Sequence, residues 1–223
     1  MASPNEFVMK LCYFGGNLTS GAGDVGRVYM DVEEFFLEAT LHMGQDPRTT
    51  QCFLTWLVKY GIVLSPSKVR RLLKERPTVD HSVLGAFLEI LEANNRQKKH
   101  WKIIRRFTRK KTETHLLFPQ LPAPLSSKVN PFFRKYGILT YAFHLDENKY
   151  LQPAHTILNS CPEIRYRAMG TGIPAADLRS FHEKHPDILS VYEIAKRTHH
   201  PRTSIYLSYR MFEELGTLSR TAA

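Results

Sequence analysis

The sequence has few cysteines and no long apolar run. Its three cysteines, Cys12, Cys52 and Cys161, are far apart and form no Cys-x-x-Cys pair. This number and spacing provide neither a disulfide framework nor a cysteine-based zinc site. No run of transmembrane length and no cleavable signal is found at the N-terminus. We therefore expect a cytoplasmic protein without membrane contact.

Signatures of catalysis are missing or lie in the wrong context. No Gly-x-Ser-x-Gly elbow occurs, and the carboxylates are scattered without a pattern that nominates an acid-base pair. Residues 21–28 have the glycine spacing of a dinucleotide fingerprint and of a kinase phosphate loop. No strand leads into them and no HRD or DFG motif follows, so a loop is the better interpretation.

Ten histidines invite a metal hypothesis, which the spacing does not support. The stretch from His182 to His185 lacks the HExxH pattern, and neither it nor His199-His200 comes with a cysteine pair. Exposed helix and turn histidines are the better interpretation. The sequence therefore predicts no catalytic residue, no cofactor and no metal.

Helical periodicity dominates the chain and predicts a mainly α fold. Apolar residues recur at helical spacing in residues 32–40, 48–60, 65–75 and 82–93, which predicts a helix bundle. We expect a strand and a Gly-rich loop in residues 1–28, a helical domain with a basic C-terminal helix in 29–111, a proline-rich linker in 112–135, and a small β-hairpin plus a helical domain in 136–223. The hairpin would form around Asp146-Glu147-Asn148.

Helix-boundary signals are clearest near the C-terminus. Ser190 with Glu193 forms a capping-box pattern, which predicts a short helix from about 191 to 198. Pro201 and Gly216 frame a second helix, about 201–215. Within it, four apolar residues form a stripe that can pack on Ile194 and Ala195: Ile205, Tyr209, Phe212 and Leu215.

From about residue 163 to 220, the chain resembles the helix-turn-helix and winged-helix families of bacterial transcription regulators. Residues 193–196 are similar to the opening of the family's second helix, and residues 202–206 to the start of its recognition helix. Residues 173–181 would form the first helix of a tri-helical core, and residues 214–216 the terminal element. The resemblance implies a winged helix-turn-helix domain that binds double-stranded DNA, with homodimerisation on two half-sites.

Two departures from the family pattern lead to expectations of their own. The family usually has apolar residues where this chain has Thr198 and His200, so we expect a loosely packed turn. The chain ends at Ala223, soon after Gly216, so we expect at most a vestigial wing.

Candidate DNA contacts fall into two groups. The first lies on the two C-terminal helices, where arginines can read guanine edges and hydroxyls can meet bases or phosphates. Its members are Lys196, Arg197, Arg202, Thr203, Ser204, Tyr206 and Arg210. The second is the basic run 96–111, which includes Arg105, Arg106 and Lys110 and would hold phosphates while Trp101, Ile104 and Phe107 dock on the bundle.

Composition fits a polyanionic partner. The formal net charge is +10, and each cation that neutralises a phosphate releases a counterion. The helix from Ser65 to Leu73 is also basic and is interpreted as a surface of the bundle or as a second DNA contact. Single-stranded RNA stays open as a partner, since aromatic residues among cations also suit single strands.

Two other functions stay open. In the first, the winged-helix surface binds a protein partner, as in an antitoxin-like subunit or an adaptor, without reading DNA. In the second, the N-terminal bundle carries an enzymatic activity of unrecognised type, although no motif supports it. The leading hypothesis is a transcriptional regulator that inserts the helix 201–215 into a DNA groove.

Overall fold

The computed structural model describes residues 3–18, 28–75, 78–94, 98–108, 113–125, 128–170, 172–188 and 190–215. These residues are mainly helical. The helices are α1 (Pro4–Tyr13), α2 (Val32–His42), α3 (Pro47–Tyr60), α4 (Pro66–Glu75), α5 (His81–Asn94), α6 (Lys98–Arg105), α7 (Pro131–Arg134), α8 (Glu147–Tyr150), α9 (Ala154–Ser160), α10 (Pro162–Ala168), α11 (Ile173–Lys184), α12 (Val191–Arg197) and α13 (Arg202–Glu214). Two short strands, β1 (His115–Leu116) and β2 (Ile138–Leu139), pair in parallel.

The four helices predicted in residues 32–93 are confirmed as α2 to α5. Local signals explain where they begin. Asp31 caps α2 by accepting the backbone N–H groups of Glu33 and Glu34, and Asp46 caps α3 with Pro47 as its first residue. The basic helix is shorter than predicted, because α6 ends at Arg105.

The N-terminal segment is a helix, so the predicted strand is wrong. Ser3 caps α1 by accepting the N–H of Glu6. Phe7 and Leu11 lie four residues apart and are both buried, which places them on one helical face. A short apolar run fits a strand and a buried helix equally well. The shortness of this run favoured the strand in the sequence, whereas the structure has the helix. Residues 19–27, which hold most of the Gly-rich loop, lie outside the described residues.

The predicted β-hairpin is also wrong. Asp146 is an N-cap, because its side chain accepts the N–H groups of Asn148 and Lys149 and so starts α8. Strand β2 pairs with β1, and Leu151 instead forms an isolated antiparallel bridge with Gly16. The same aspartate therefore signals a helix start where a turn was expected.

The segment predicted as a linker, residues 112–135, is built into the fold. Its Leu117, Phe118 and Phe133 are buried in the large core. Gly44 comes so close to this segment that a Cβ there would clash with the carbonyl oxygen of Leu117. The described residues of this segment therefore pack on the helical domain and do not act as a free connection.

The chain forms two hydrophobic cores, and the boundary between them lies between Ile164 and Ala175. The large core runs from Phe7 to Ile164 and is rich in aromatic rings. The small core is formed mainly by α11, α12 and α13. Each of the three cysteines is buried, and none of them forms a disulfide. Among the described residues, no helix has both the length and the apolar character needed to cross a membrane.

Candidate nucleic-acid interface

Helices α11, α12 and α13 form a compact three-helix unit, called here the C-terminal unit. Ile205, Tyr209 and Phe212 of α13 are buried in the small core, where Ile194 and Ala195 of α12 are also buried. This confirms the predicted stripe at three of its four positions. Leu215 is the exception, because 66% of it is exposed beyond the end of α13.

The turn between α12 and α13 is tightly held, so the expectation of loose packing is wrong. The hydroxyl of Thr198 is buried and donates to the carbonyl of Ile194 at 2.8 Å. His199 adopts a left-handed backbone with φ of 52°, as a tight turn between two helices requires, and its ring lies 2.9 Å from Glu34 on α2. The turn is therefore fixed by its own backbone and by contact with α2 of the N-terminal domain, the part of the chain that forms the large core.

Four predicted contact residues lie on the outer side of α13. Arg202, Thr203, Tyr206 and Arg210 are exposed, and Ser204 is half-buried. The Arg202 guanidinium carbon lies 5.5 Å from the ring centroid of Tyr192 on α12, a cation–π contact that orients the side chain at the start of the helix. Arg210 lies 3.7 Å from Glu214, so its charge is partly balanced.

Helix α12 presents Lys196 and Arg197 next to this surface. Both are exposed, and Arg197 pairs with Glu193 one turn earlier at 2.8 Å. Within the described part of the chain, neither Lys196 nor Arg202 has an acidic partner within salt-bridge distance. These two cations therefore keep their full charge for a partner.

The basic run is less available than its sequence implies. Arg105 pairs with Glu89 and lies 3.3 Å from Glu92, both on α5. Arg106 is exposed, and Lys110 lies outside the described residues. The basic run contains no acidic residue, but the neighbouring helix α5 provides two, Glu89 and Glu92. The charge of Arg105 is therefore balanced within the fold, which makes it a weaker candidate for the predicted phosphate contact.

The anchoring of the basic run also differs from the prediction. Trp101 and Ile104 are buried, as expected. Phe107 follows the end of α6 and is 51% exposed, because the helix stops before its ring turns toward the core.

A buried ion cluster joins the C-terminal unit to the N-terminal domain. Its members are Asp31, Glu33, Lys68, Arg167 and Asp177, and His200 lies at its edge. The Lys68 ammonium is 2.6 Å from carboxylate oxygens of both Asp31 and Asp177. Side chains of Lys68, Glu33, Arg167 and Asp177 are exposed by no more than 1%. Charged groups so fully removed from water need close partners, and each has them.

Arg167 is the centre of this cluster. Its guanidinium donates to both oxygens of Glu33, at 2.6 and 2.9 Å, and to both oxygens of Asp177, at 2.8 Å each. The fork geometry lets one planar cation hold two carboxylates, which lysine cannot do. Helix α10, which carries Arg167, thus connects α2 to α11.

The charges in the cluster shift the pKa values of its carboxylates in different directions. Burial works against ionisation of Glu33, but the charges of Arg167 and Lys68 outweigh it and lower its pKa to about 2. The same balance holds the pKa of Asp177 far below its usual range. Burial raises the pKa of Asp31 to about 6, because Lys68 compensates only in part and the neighbouring carboxylates repel its charge.

His200 belongs to this buried network, so its prediction as an exposed turn histidine is wrong. Its Nε2 lies 2.9 Å from Asp177, and only 5% of its side chain is exposed. Burial lowers its pKa, although the Asp177 carboxylate opposes this shift. His200, which follows the left-handed His199, is therefore held in place by its contact with the ion cluster.

Three carboxylates of the cluster have the spacing of a metal site. Oxygens of Asp31, Glu33 and Asp177 lie within 4.8 Å of one another. The Lys68 ammonium and the Arg167 guanidinium already lie among them and supply the positive charge. The arrangement is therefore an internal salt-bridge network, in which side-chain cations already balance the carboxylates.

A second buried cluster ties α1 to α10 and α11. The Lys184 ammonium lies 2.7 Å from Glu163, and the Tyr13 hydroxyl donates to the same carboxylate at 2.6 Å. Burial raises the pKa of Tyr13 and of the neighbouring Cys161 thiol. Because Glu163 is fully buried and Lys184 nearly so, these groups connect helices and do not face a substrate.

Neither cluster was found from the sequence, although a signal was present. Lys68 lies four residues before buried Leu72, and Asp177 lies four residues before buried Phe181. Each charged residue is therefore on the apolar face of its helix.

Comparison of the chain with protein-family models, with curated proteins and with solved structures gives no match.

Proposed function

We propose that this protein binds double-stranded DNA and inserts the N-terminal half of α13 into a groove. The observation that supports this most is the exposed start of α13, where Arg202 and Thr203 stand at the end of a rigid turn. A helix presented in this way after a short preceding helix is the arrangement of helix-turn-helix recognition. Arg202 would read a guanine edge, and Thr203, Ser204 and Tyr206 would contact bases or phosphates.

Cations on α12, on α13 and in the basic run would hold the phosphate backbone. Lys196 on α12 has its full charge, and Arg197, Arg210 and Arg106 are exposed. The net charge of +10 favours attraction to a polyanion over the whole molecule. We place the protein in a reducing cytoplasm, which agrees with three buried cysteines that form no disulfide. Two copies on adjacent half-sites would follow the helix-turn-helix pattern.

The test is selection of a preferred duplex from a random-sequence pool, followed by fluorescence anisotropy over a salt series. We expect salt-sensitive binding with a clear preference for the selected duplex. Arg202→Ala should weaken that duplex by about 1–3 kcal/mol and have much less effect on a shuffled duplex. Lys196→Ala should weaken both duplexes alike and reduce the salt slope by about 1.

Arg197→Ala removes the same charge from a side chain that already pairs with Glu193 on the same surface. It should change binding less than Arg202→Ala. Equal loss on every sequence from Arg202→Ala would argue against groove reading. Absence of binding even at low salt would overturn the proposal.

A protein partner is the second candidate, and a specific observation favours it. Four large apolar side chains are exposed along α13 and its C-terminal end: Tyr206 at 47%, Leu207 at 66%, Met211 at 39% and Leu215 at 66%. Leu207, Met211 and Leu215 recur every four residues, so they form a continuous stripe. Salt-insensitive capture of a partner, abolished by Leu207→Asp together with Met211→Asp, would support this candidate in the absence of DNA binding.

A further inference from the structure

A cavity of about 190 Å³ lies between α4, the first residue of α5 and the residues that follow α6. Its lining residues are Arg70, Leu73, Lys74, His81 and Phe107. None of them belongs to the C-terminal unit, and none is needed by the proposed DNA contacts. The cavity is therefore a separate feature of the N-terminal domain.

The apolar part of the cavity suits a flat ring. Phe107 is 51% exposed although it is aromatic, and the Arg70 guanidinium carbon lies 5.5 Å from its ring centroid. Leu73 adds an aliphatic side chain to the lining. An engineered cavity of about 150 Å³ is known to hold benzene, so this volume accommodates a six-membered ring with one small substituent.

The polar part of the cavity is cationic. Arg70, Lys74 and His81 line it, and no carboxylate does among the described residues. Arg70 and Lys74 form no ion pair within the described ranges. Asp80, which precedes His81, is directed to α5, where its side chain accepts the N–H groups of Ser82 and Val83.

His81 gives an independent sign of a missing hydrogen-bond partner. Its Nδ1 is shielded from solvent, and nothing in the described part of the chain hydrogen-bonds to it. A buried polar atom without a partner is costly, and an anionic ligand would supply the acceptor.

We propose that this cavity binds a small aromatic acid, in which a benzene-sized ring carries one carboxylate or phosphate. The ring would lie against Phe107 and Leu73. The acid group would accept hydrogen bonds from the Arg70 guanidinium, which matches both acids bidentately, and from Lys74 or His81. The site stands independently of DNA binding, because it uses none of the residues assigned to that function.

The test uses three probes of similar ring size: benzoate, phenyl phosphate and the neutral benzyl alcohol. Binding is followed in ¹H–¹⁵N correlation spectra of the full chain, by amide shifts of α4 and of the start of α5. We expect saturable binding of at least one acid with a dissociation constant on the order of 0.1–1 mM. Benzyl alcohol should bind at least about tenfold more weakly, because it makes no charge-assisted bond.

Two variants with the same change in net charge separate the site from general charge attraction. Arg70→Gln should weaken the acid at least about tenfold, because it removes the bidentate donor. Lys102→Gln removes an exposed cation on α6 that does not line the cavity and should leave binding unchanged. Unchanged melting temperatures would show that both variants remain folded.

Preference between benzoate and phenyl phosphate identifies the acid group, and either preference supports the site. The proposal is overturned if neither acid saturates, if benzyl alcohol binds as tightly as the acids, or if the two variants lose binding equally.

Discussion

Charged side chains in the buried ion cluster and on the outer surface of α12 and α13 have opposite surroundings. Arg167 and Asp177 are shielded from solvent and bonded to partners on several helices. Lys196 and Arg202 are exposed and, within the described ranges, lack acidic partners. Both groups belong to the same three-helix unit and its neighbour α10.

The comparison shows that the environment of a charge determines what it does. Inside the protein, each charge is paired, so it fixes where the C-terminal unit sits on the N-terminal domain. Outside, unpaired cations are free to attract a polyanion over a distance of about 10 Å or more, depending on salt. Substitutions should therefore affect stability in the first group and binding in the second.

The largest effect is expected from Arg167→Ala. It leaves Glu33 and Asp177 buried without their main partner, which should cost about 3–5 kcal/mol in the free energy of unfolding. Urea denaturation followed by circular dichroism measures this. Arg197→Ala is the control, since its exposed pair with Glu193 should be worth less than about 1 kcal/mol. Similar losses from both variants would contradict the contrast between inner and outer charges.

A smaller, pH-dependent effect is expected at Asp31. Its pKa of about 6 in the folded protein lies above its ordinary value of 3.8, so the folded state takes up this proton first as the pH falls. The wild type should therefore gain stability relative to Asp31→Asn between pH 7 and 4, on the order of 2 kcal/mol. Asparagine keeps an acceptor for capping α2. If the free energies of unfolding of the two proteins change in parallel over this pH range, the raised pKa of Asp31 is refuted.

The smallest effect is expected in the basic run. Arg106→Ala should reduce the salt slope of DNA binding by about 0.9, as loss of one phosphate contact does. Arg105→Ala should leave the slope unchanged and instead lower stability, because it releases Glu89 and Glu92. Anisotropy over a salt series distinguishes the two variants. An equal reduction in slope from both would restore Arg105 as a phosphate contact.

Local signals in the sequence predicted much of the fold. The apolar periodicity of α2 to α5 and the caps and prolines around α12 and α13 depend on neighbouring residues, so they can be found without the structure. The Asp146 cap and the apolar run of α1 were misread, because the same residue types suit turns and strands as well.

The ion cluster could not be assembled from the sequence, because its members lie far apart in the chain. Lys68 and Asp177 are 109 residues apart, and Glu33 and Arg167 are 134 residues apart. Position on an apolar helix face marks single residues such as Lys68 as buried. Only the packing of α2, α4, α10 and α11 shows which opposite charges meet.

These separations set an order of events during synthesis. Glu33 and Lys68 leave the ribosome first, whereas their partners Arg167 and Asp177 come 134 and 109 residues later. At roughly 5–20 residues per second, Glu33 waits on the order of ten seconds for its partner. Burying these early charges before then would leave them with incomplete partners, so the N-terminal domain cannot close fully while it is being made. Its final packing waits for the last third of the chain.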